Sequence, residues 1–264
     1  MKRLTLRTPG NQHGYSLVEL MIAILIALFL LAGLMTLVMG TRKTSTTQSQ
    51  LAQLQDNERI AMTLMTNVIQ QAGYFPDPTH LTSTSFATEV SAAGNFAVGQ
   101  PLAGTYSAVA PGDTIAARFI APVNDAATYN VIVNCAGTTN TSTTLPMTFT
   151  NLFQVATVNN VPYLQCVLSK AGAVQAPVIN LVAGVQSLSV MYGISATGGD
   201  NNITTYETAA VANANPTDWL RVTAVKLRIT FLVPQFGQSG GQYSTNTQYI
   251  ERVIPIMART GANN

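Results

Sequence analysis

A chain of 264 residues can bury one sizeable core, and 47% hydrophobic against 9% charged residues excludes a disordered acidic or basic protein. The formal net charge of +2 hides an asymmetry: Lys2, Arg3 and Arg7 precede the first apolar run without an acid, and beyond residue 14 the balance is −1. No concentrated basic stripe remains, so nucleic acid is not expected as an obligatory partner.

From Leu20 to Met39 the chain reads LMIAILIALFLLAGLMTLVM, twenty residues without a charge and with Thr36 as the only conventional polar side chain. That is the length a helix needs to cross a bilayer. A secretory signal peptide would have a shorter apolar core and a small-x-small cleavage site beyond it. Here the run passes instead into helix-like sequence. Arg42 and Lys43 follow the span, so the positive-inside bias is modest. Glu19 stands at the start of the run, where a carboxylate is costly in lipid unless it is paired or snorkels into the headgroup layer.

The residues around it, His13-Gly14-Tyr15-Ser16-Leu17-Val18-Glu19-Leu20-Met21, resemble the type IV prepilin signature. A short basic leader ends in Gly, an aromatic residue follows, and Glu opens an apolar helix at a fixed offset. The resemblance implies a leader of residues 1–14, cut between Gly14 and Tyr15 by a membrane-embedded prepilin peptidase, with N-methylation of Tyr15. It also implies that Glu19 docks subunits by neutralising the N-terminal ammonium of a neighbour in the filament core. Gly14 suits the cut because it has no side chain to obstruct approach. Two departures stand out: Tyr15 replaces the usual Phe, and Thr36 stands where major pilins often carry Pro.

Residues 15–40 then form the transmembrane or filament-core helix, and residues 41–75 its amphipathic continuation. Leu51, Leu54, Ala61, Met65, Val68 and Ala72 share one stripe, interrupted by Glu58. Gly73 is placed as a C-cap and Pro76 prevents continuation, so the helix is expected to end near Ala72, about 85 to 90 Å from Tyr15.

Residues 76–264 switch to short β-type runs between Gly, Asn, Pro and Ser clusters, which defines a β-rich head. Strands are expected at Thr114–Ile120, Tyr129–Val133, Phe149–Thr157 and Tyr163–Leu168. Leu188, Val190 and Tyr192 form one buried face; Val225, Leu227, Ile229 and Phe231 a second; Ile254, Ile256 and Ala258 a third. Pro255 marks the last strand as an edge or a bulge. The expected fold is α+β and type IV pilin-like: a long N-terminal helix, transmembrane in its first half, packed on an antiparallel β-sheet head.

Cys135 and Cys166 are the only cysteines, and in an oxidising compartment they are expected to pair. The alternative is two reduced core thiols. A bridge over a loop of roughly thirty residues would contribute about 3 to 4 kcal/mol.

Little here suggests catalysis, a metal or another cofactor. His80, in a Thr/Ser-rich loop, is the one histidine beyond the leader, too few for a triad or a His-rich metal site. Gly198-Gly199-Asp200 and Gly237-Gln238-Ser239-Gly240-Gly241 lack the Lys of a phosphate loop and read as turns. Asp200, Asn202 and Glu207 form a weak calcium candidate, with two carboxylates and no EF-hand spacing; Asp and Asn serve hairpin turns equally well. Arg221, Lys226 and Arg228 form a basic group on a strand face, without the stacking aromatics of a nucleic-acid groove.

Several further segments resemble the PilW family of minor pilins: Leu54–Met62, Gln71–Phe75, Gly184–Gly193, Trp219–Ile229 as a penultimate strand and Tyr249–Arg259 as the last. Residues 80–180 carry no such resemblance. The family implies a structural, non-enzymatic role in initiating type IV pili, in a tip or priming complex. Its partners would be other minor pilins, the major pilin, a tip adhesin, the prepilin peptidase and the inner-membrane assembly platform. The chain would then be single-pass in the inner membrane, its C-terminal domain periplasmic, before entering a surface pilus. A minor pseudopilin of a type II secretion system, or a DNA-binding or adhesive pilin, are the alternatives.

Overall fold

The computed structural model describes residue 14 and residues 16–76, 86–124, 132–197, 202–235 and 243–257. The chain divides into two compact units, Met1–Ser49 and Gln50–Asn264. Helix α1 spans Leu17–Gln70 and contributes to both.

In the first unit the apolar side chains of α1 are exposed from Leu17 to Met39. Polarity rises after Gly40, but these hydroxyls need no outside partner. Thr41, Thr44, Thr46, Thr47 and Ser49 donate to carbonyls three or four residues earlier in the same helix.

In the second unit α1 buries Leu54, Ala61, Met62, Met65, Val68 and Ile69, and Ala72 follows just beyond its end. The stripe is wider than the sequence reading, because strands close on it broadly enough to cover Met62 and Ile69 as well. Leu51, one turn before Leu54, stays exposed and is not part of the core. Gly73 adopts φ +79°, a conformation that favours Gly, and its N–H donates 2.9 Å to the Arg118 carbonyl. The helix end is thereby tied to a strand.

The strands are β1 (Glu89–Ser91), β2 (Gly94–Phe96), β3 (Leu102–Thr105), β4 (Thr114–Ala121), β5 (Met147–Val158) and β6 (Val161–Lys170). Then come β7 (Ala173–Val174), β8 (Ile179–Ala183), β9 (Val185–Ser195), β10 (Ile203–Glu207), β11 (Val222–Pro234) and β12 (Tyr243–Pro255). A short helix α2 (Ala209–Ala214) and a 3-10 turn at Pro216–Arg221 precede β11.

The α+β architecture of a long helix and antiparallel strands is as expected, but the strands divide between two sheets and a hairpin. One sheet runs β3-β4-β5-β6-β7 with β8 also on β6; the other runs β10-β9-β11-β12; β1 and β2 pair alone. All strand pairs named here are antiparallel. Asn159 and Asn160, both at positive φ, make the two-residue turn that joins β5 to β6.

One hydrophobic core joins the α1 stripe to Phe119, Phe149 and Phe153 of the first sheet and to Tyr192, Leu227 and Phe231 of the second. The expected faces of β9 and β11 are buried, as are Ile254 and Ile256; Ala258 lies outside the described residues. Pro255 is the last residue of β12, and β12 is an edge strand.

Two local expectations fail. Residues 129–131 lie outside the described residues, and Ile132 and Val133 belong to no strand. Trp219, Leu220 and Arg221 are not strand but 3-10 turn. The turn lets the Trp219 ring enter the core edge-on to Tyr192, at 4.7 Å between centroids. Its Nε1–H donates 3.1 Å to Asn213 Oδ1, the partner a buried indole requires.

Candidate functional site

At the N-terminal end, Gly14 is exposed with open space around its Cα, while Tyr15 lies outside the described residues. The Ser16 carbonyl accepts from the N–H groups of Glu19 (3.0 Å) and Leu20 (3.2 Å), and α1 begins at Leu17. Glu19 therefore sits in the first turn, where unpaired N–H groups favour a carboxylate. Ser16 and Glu19 also stand at capping-box spacing, so the acid could serve its own helix, an alternative the sequence reading did not raise. By length and composition α1 can cross a bilayer. Glu19 thus heads an exposed apolar surface with no core of its own.

In the head, Cys135 and Cys166 are joined as a disulfide. Cys166 lies on β6 facing the core, and the Cys135 N–H donates 2.9 Å to Oδ1 of the buried Asn151 on β5. The bridge fastens the segment after β4 to the middle of the first sheet.

The calcium candidate is not assembled by anything described. Asp200 lies outside the described residues, Asn202 precedes β10, and Glu207 ends it. Among the described residues no cluster of three acidic, His or Cys side chains could hold a metal ion. His80 and the glycine-rich segments at 198–199 and 237–241 also fall outside the described residues.

The basic group is not one face. Arg221 sits in the 3-10 turn, donates from Nε and Nη2 to the Ser195 carbonyl at 2.8 and 2.7 Å, and pairs with Asp218. Lys226 and Arg228 both hold Glu251, at 3.0 and 2.8 Å. Their two cations hold the Glu251 carboxyl below its usual range.

Sequence reading also missed Arg118, fully buried on β4. Its Nε, Nη1 and Nη2 donate to the carbonyls of Gln100, Ala87 and Ala97 at 2.6, 2.6 and 2.8 Å. Phe86 and Phe96 flank the guanidinium, 5.1 and 4.7 Å from centroid to Cζ. Burial lowers its pKa to about 10, and the nearby Glu89 opposes that shift. Alternation with the core-facing Phe119 assigns Arg118 to the opposite, wet face of β4, and nothing local signals that residues 86–100 cover it there; its role is to clamp them onto the first sheet.

Residues 9–35 match the prokaryotic N-terminal methylation motif, and residues 152–253 match the family described as Type IV Pilus-assembly protein W. No curated protein and no solved structure matches the chain. The methylation motif leads directly into the apolar helix, and that helix continues into an antiparallel β head: the protein is type IV pilin-like. The second match covers β6 to β11 whole, with most of β5 and β12, and supports a PilW-like type IV pilin with a minor-pilin role. That match begins at 152, so it takes in the later part of the stretch that carried no resemblance by sequence, and it leaves Leu54–Phe75 outside.

Proposed function

We propose that this chain helps to initiate type IV pilus assembly as a component of a tip or priming complex. The observation that carries the reading is Glu19 at the head of an exposed, charge-free helical run that follows a methylation motif. Such a surface is stable only against lipid or against other apolar helices. The peptidase would hydrolyse the Gly14–Tyr15 amide, leaving the Gly14 carboxylate on the leader and a free Tyr15 α-amine for methylation. Glu19 would then offset the ammonium of an adjacent subunit, an unpaired charge that costs several kcal/mol when buried. The head would lie in the periplasm, where the disulfide persists. Other minor pilins, the major pilin, a tip adhesin and the assembly platform are the proposed partners. Arg221, Lys226 and Arg228 are engaged with Asp218, Glu251 and the Ser195 carbonyl, which weighs against DNA binding as the primary role.

Two variants test docking against helix capping. Glu19→Gln keeps the hydrogen-bonding shape of a cap but removes the charge, whereas Glu19→Ala removes both. Both should lose co-purification with other pilins from membranes while leader removal and head unfolding stay unchanged. If Glu19→Gln assembles normally, the acid serves its own helix. For priming, deletion of the chain should lower the number of surface filaments per cell, and an unchanged count would overturn the proposal.

A further inference from the structure

Strand β12 closes one side of the β10-β9-β11-β12 sheet, and among the described residues no strand lies beyond it. The Ile256 N–H donates 2.9 Å to the Thr223 carbonyl, which sets the hydrogen-bonding phase of the β11–β12 ladder. From Ala224↔Pro255 to Leu232↔Thr247 the register is unbroken. Alternation then directs the N–H and C=O groups of Ile254, Arg252, Ile250 and Gln248 toward β11. Those of Thr247, Tyr249, Glu251 and Val253 point away from it. Pro255 falls in the outward phase too, so its missing N–H costs the ladder nothing and ends the donor row.

The other outer strands of the two sheets are blunted. β3 has four residues and β7 two, and β8 and β10 have five each with an irregular register to their neighbours. β12 has thirteen residues, and between Thr247 and Val253 there is no Pro, Gly, Lys or register shift. Sheets that must avoid edge pairing use those very devices. Between Thr247 and Val253 the long edge of β12 carries only the charges of Glu251 and Arg252, and Pro255 lies at its end.

The side chains along this edge specify what would fit. Tyr249 and Val253 are exposed on one face beside Glu251, whose charge Lys226 and Arg228 already hold. Arg252, exposed on the other face, has no ion partner among the described residues. Over β11 and β12 together, three cations, Lys226, Arg228 and Arg252, stand against one acid, Glu251. From this we infer that β12 is the docking edge for an extended, acidic segment of a partner protein, which adds to the sheet as a fifth strand. Main-chain bonds to Thr247, Tyr249, Glu251 and Val253 hold it, apolar residues cover Tyr249 and Val253, and an acid meets Arg252. The inference needs only the sheet and stands apart from the priming role.

The test uses the full chain in detergent micelles with two labelled decapeptides, one alternating Val and Glu, the other Val and Lys. The acidic peptide should bind more tightly, by about two- to fivefold for each opposed charge. Bound, it should slow hydrogen exchange at Thr247, Tyr249, Glu251 and Val253, whose amides otherwise exchange faster than those of Gln248, Ile250 and Arg252. Thr247→Pro removes one outward donor without touching the β11 ladder and should weaken binding about threefold or more. Arg252→Glu should shift the preference toward the basic peptide, a readout that survives if the Pro variant fails to fold. Equal affinity for both peptides, no binding of either, or protection away from β12 would overturn the inference. Concentration-dependent protection of β12 without peptide would overturn the partner, naming a second copy of the chain instead.

Discussion

Phe29 and Phe119 carry the same ring into opposite surroundings. Phe29, in the unit Met1–Ser49, is 73% exposed, whereas Phe119 on β4 is 0% exposed and packs 5.8 Å from the Phe149 ring. The difference holds along the whole of α1. Its apolar residues before Met39 contact no core, whereas Leu54, Ala61, Met62, Met65, Val68 and Ile69 are buried with both sheets. A single helix therefore answers to two solvents. The first part is stabilised by whatever surrounds the chain, the second by the chain's own head.

The largest test sets those two rings side by side. In urea unfolding of the full chain in detergent, followed by near-UV circular dichroism of the head, Phe119→Ala should cost about 3–5 kcal/mol. Phe29→Ala should move the same transition by less than about 0.5 kcal/mol. A comparable loss from Phe29→Ala would show that the first part of α1 shares the head's cooperativity. Next in size, Cys135→Ser with Cys166→Ser should lower stability by about 3 to 4 kcal/mol, since the bridge spans a sequence separation of 31. The measurement is the urea midpoint of this double variant against the oxidised chain. A shift smaller than 1 kcal/mol would assign the first sheet's cohesion to packing alone.

Gly104 sharpens the picture inside the head. A Cβ there would collide with the buried Tyr192 hydroxyl and come within 2.6 Å of the Thr114 carbonyl, so the two sheets approach only because Gly occupies this point. Gly104→Ala should cost about 1–3 kcal/mol in the same assay. Gly33→Ala, with nothing near its Cβ, should cost the head nothing measurable.

The smallest effect is expected at Glu58, where the polar interruption of the α1 stripe meets the core. Burial pushes its carboxyl up from the ordinary carboxylate value, and Oε1 has no hydrogen-bond partner. A raised folded pKa means that the stability contribution is full below the unfolded value and is lost as pH rises through the folded one. Glu58→Gln should accordingly raise the thermal midpoint slightly at pH 7 and leave it unchanged near pH 4. A gain that is constant with pH would locate the effect in helix propensity instead.

Where local chemistry decides structure, the residues announce it. The apolar run from Leu20 to Met39, its Glu19 and the preceding Gly14 lie within one short stretch, so their offsets can be read directly. The α1 stripe, the alternation in β9 and β11, and Pro255 as the mark of an edge were legible for the same reason: helical and extended periodicities are local. Arg118 was not, because its three acceptors are Ala87, Ala97 and Gln100, up to 31 residues away, and any residue type can present a carbonyl. The 3-10 turn at Trp219 was also hidden, since its cause is the Tyr192 ring on another strand.

The sequence by itself determined the anchor, the order of helix and head, the faces of the longer strands and the two thiols available to pair. Only the tertiary structure decided that the strands split into two sheets on one helix, that Lys226 and Arg228 spend their charge on Glu251, and that β12 is the long outer strand of its sheet. The physical reason is range. Periodicity and turn chemistry act over a few residues, whereas sheet partition, ion pairing and edges depend on which distant strands meet, and that is settled by burying the shared core.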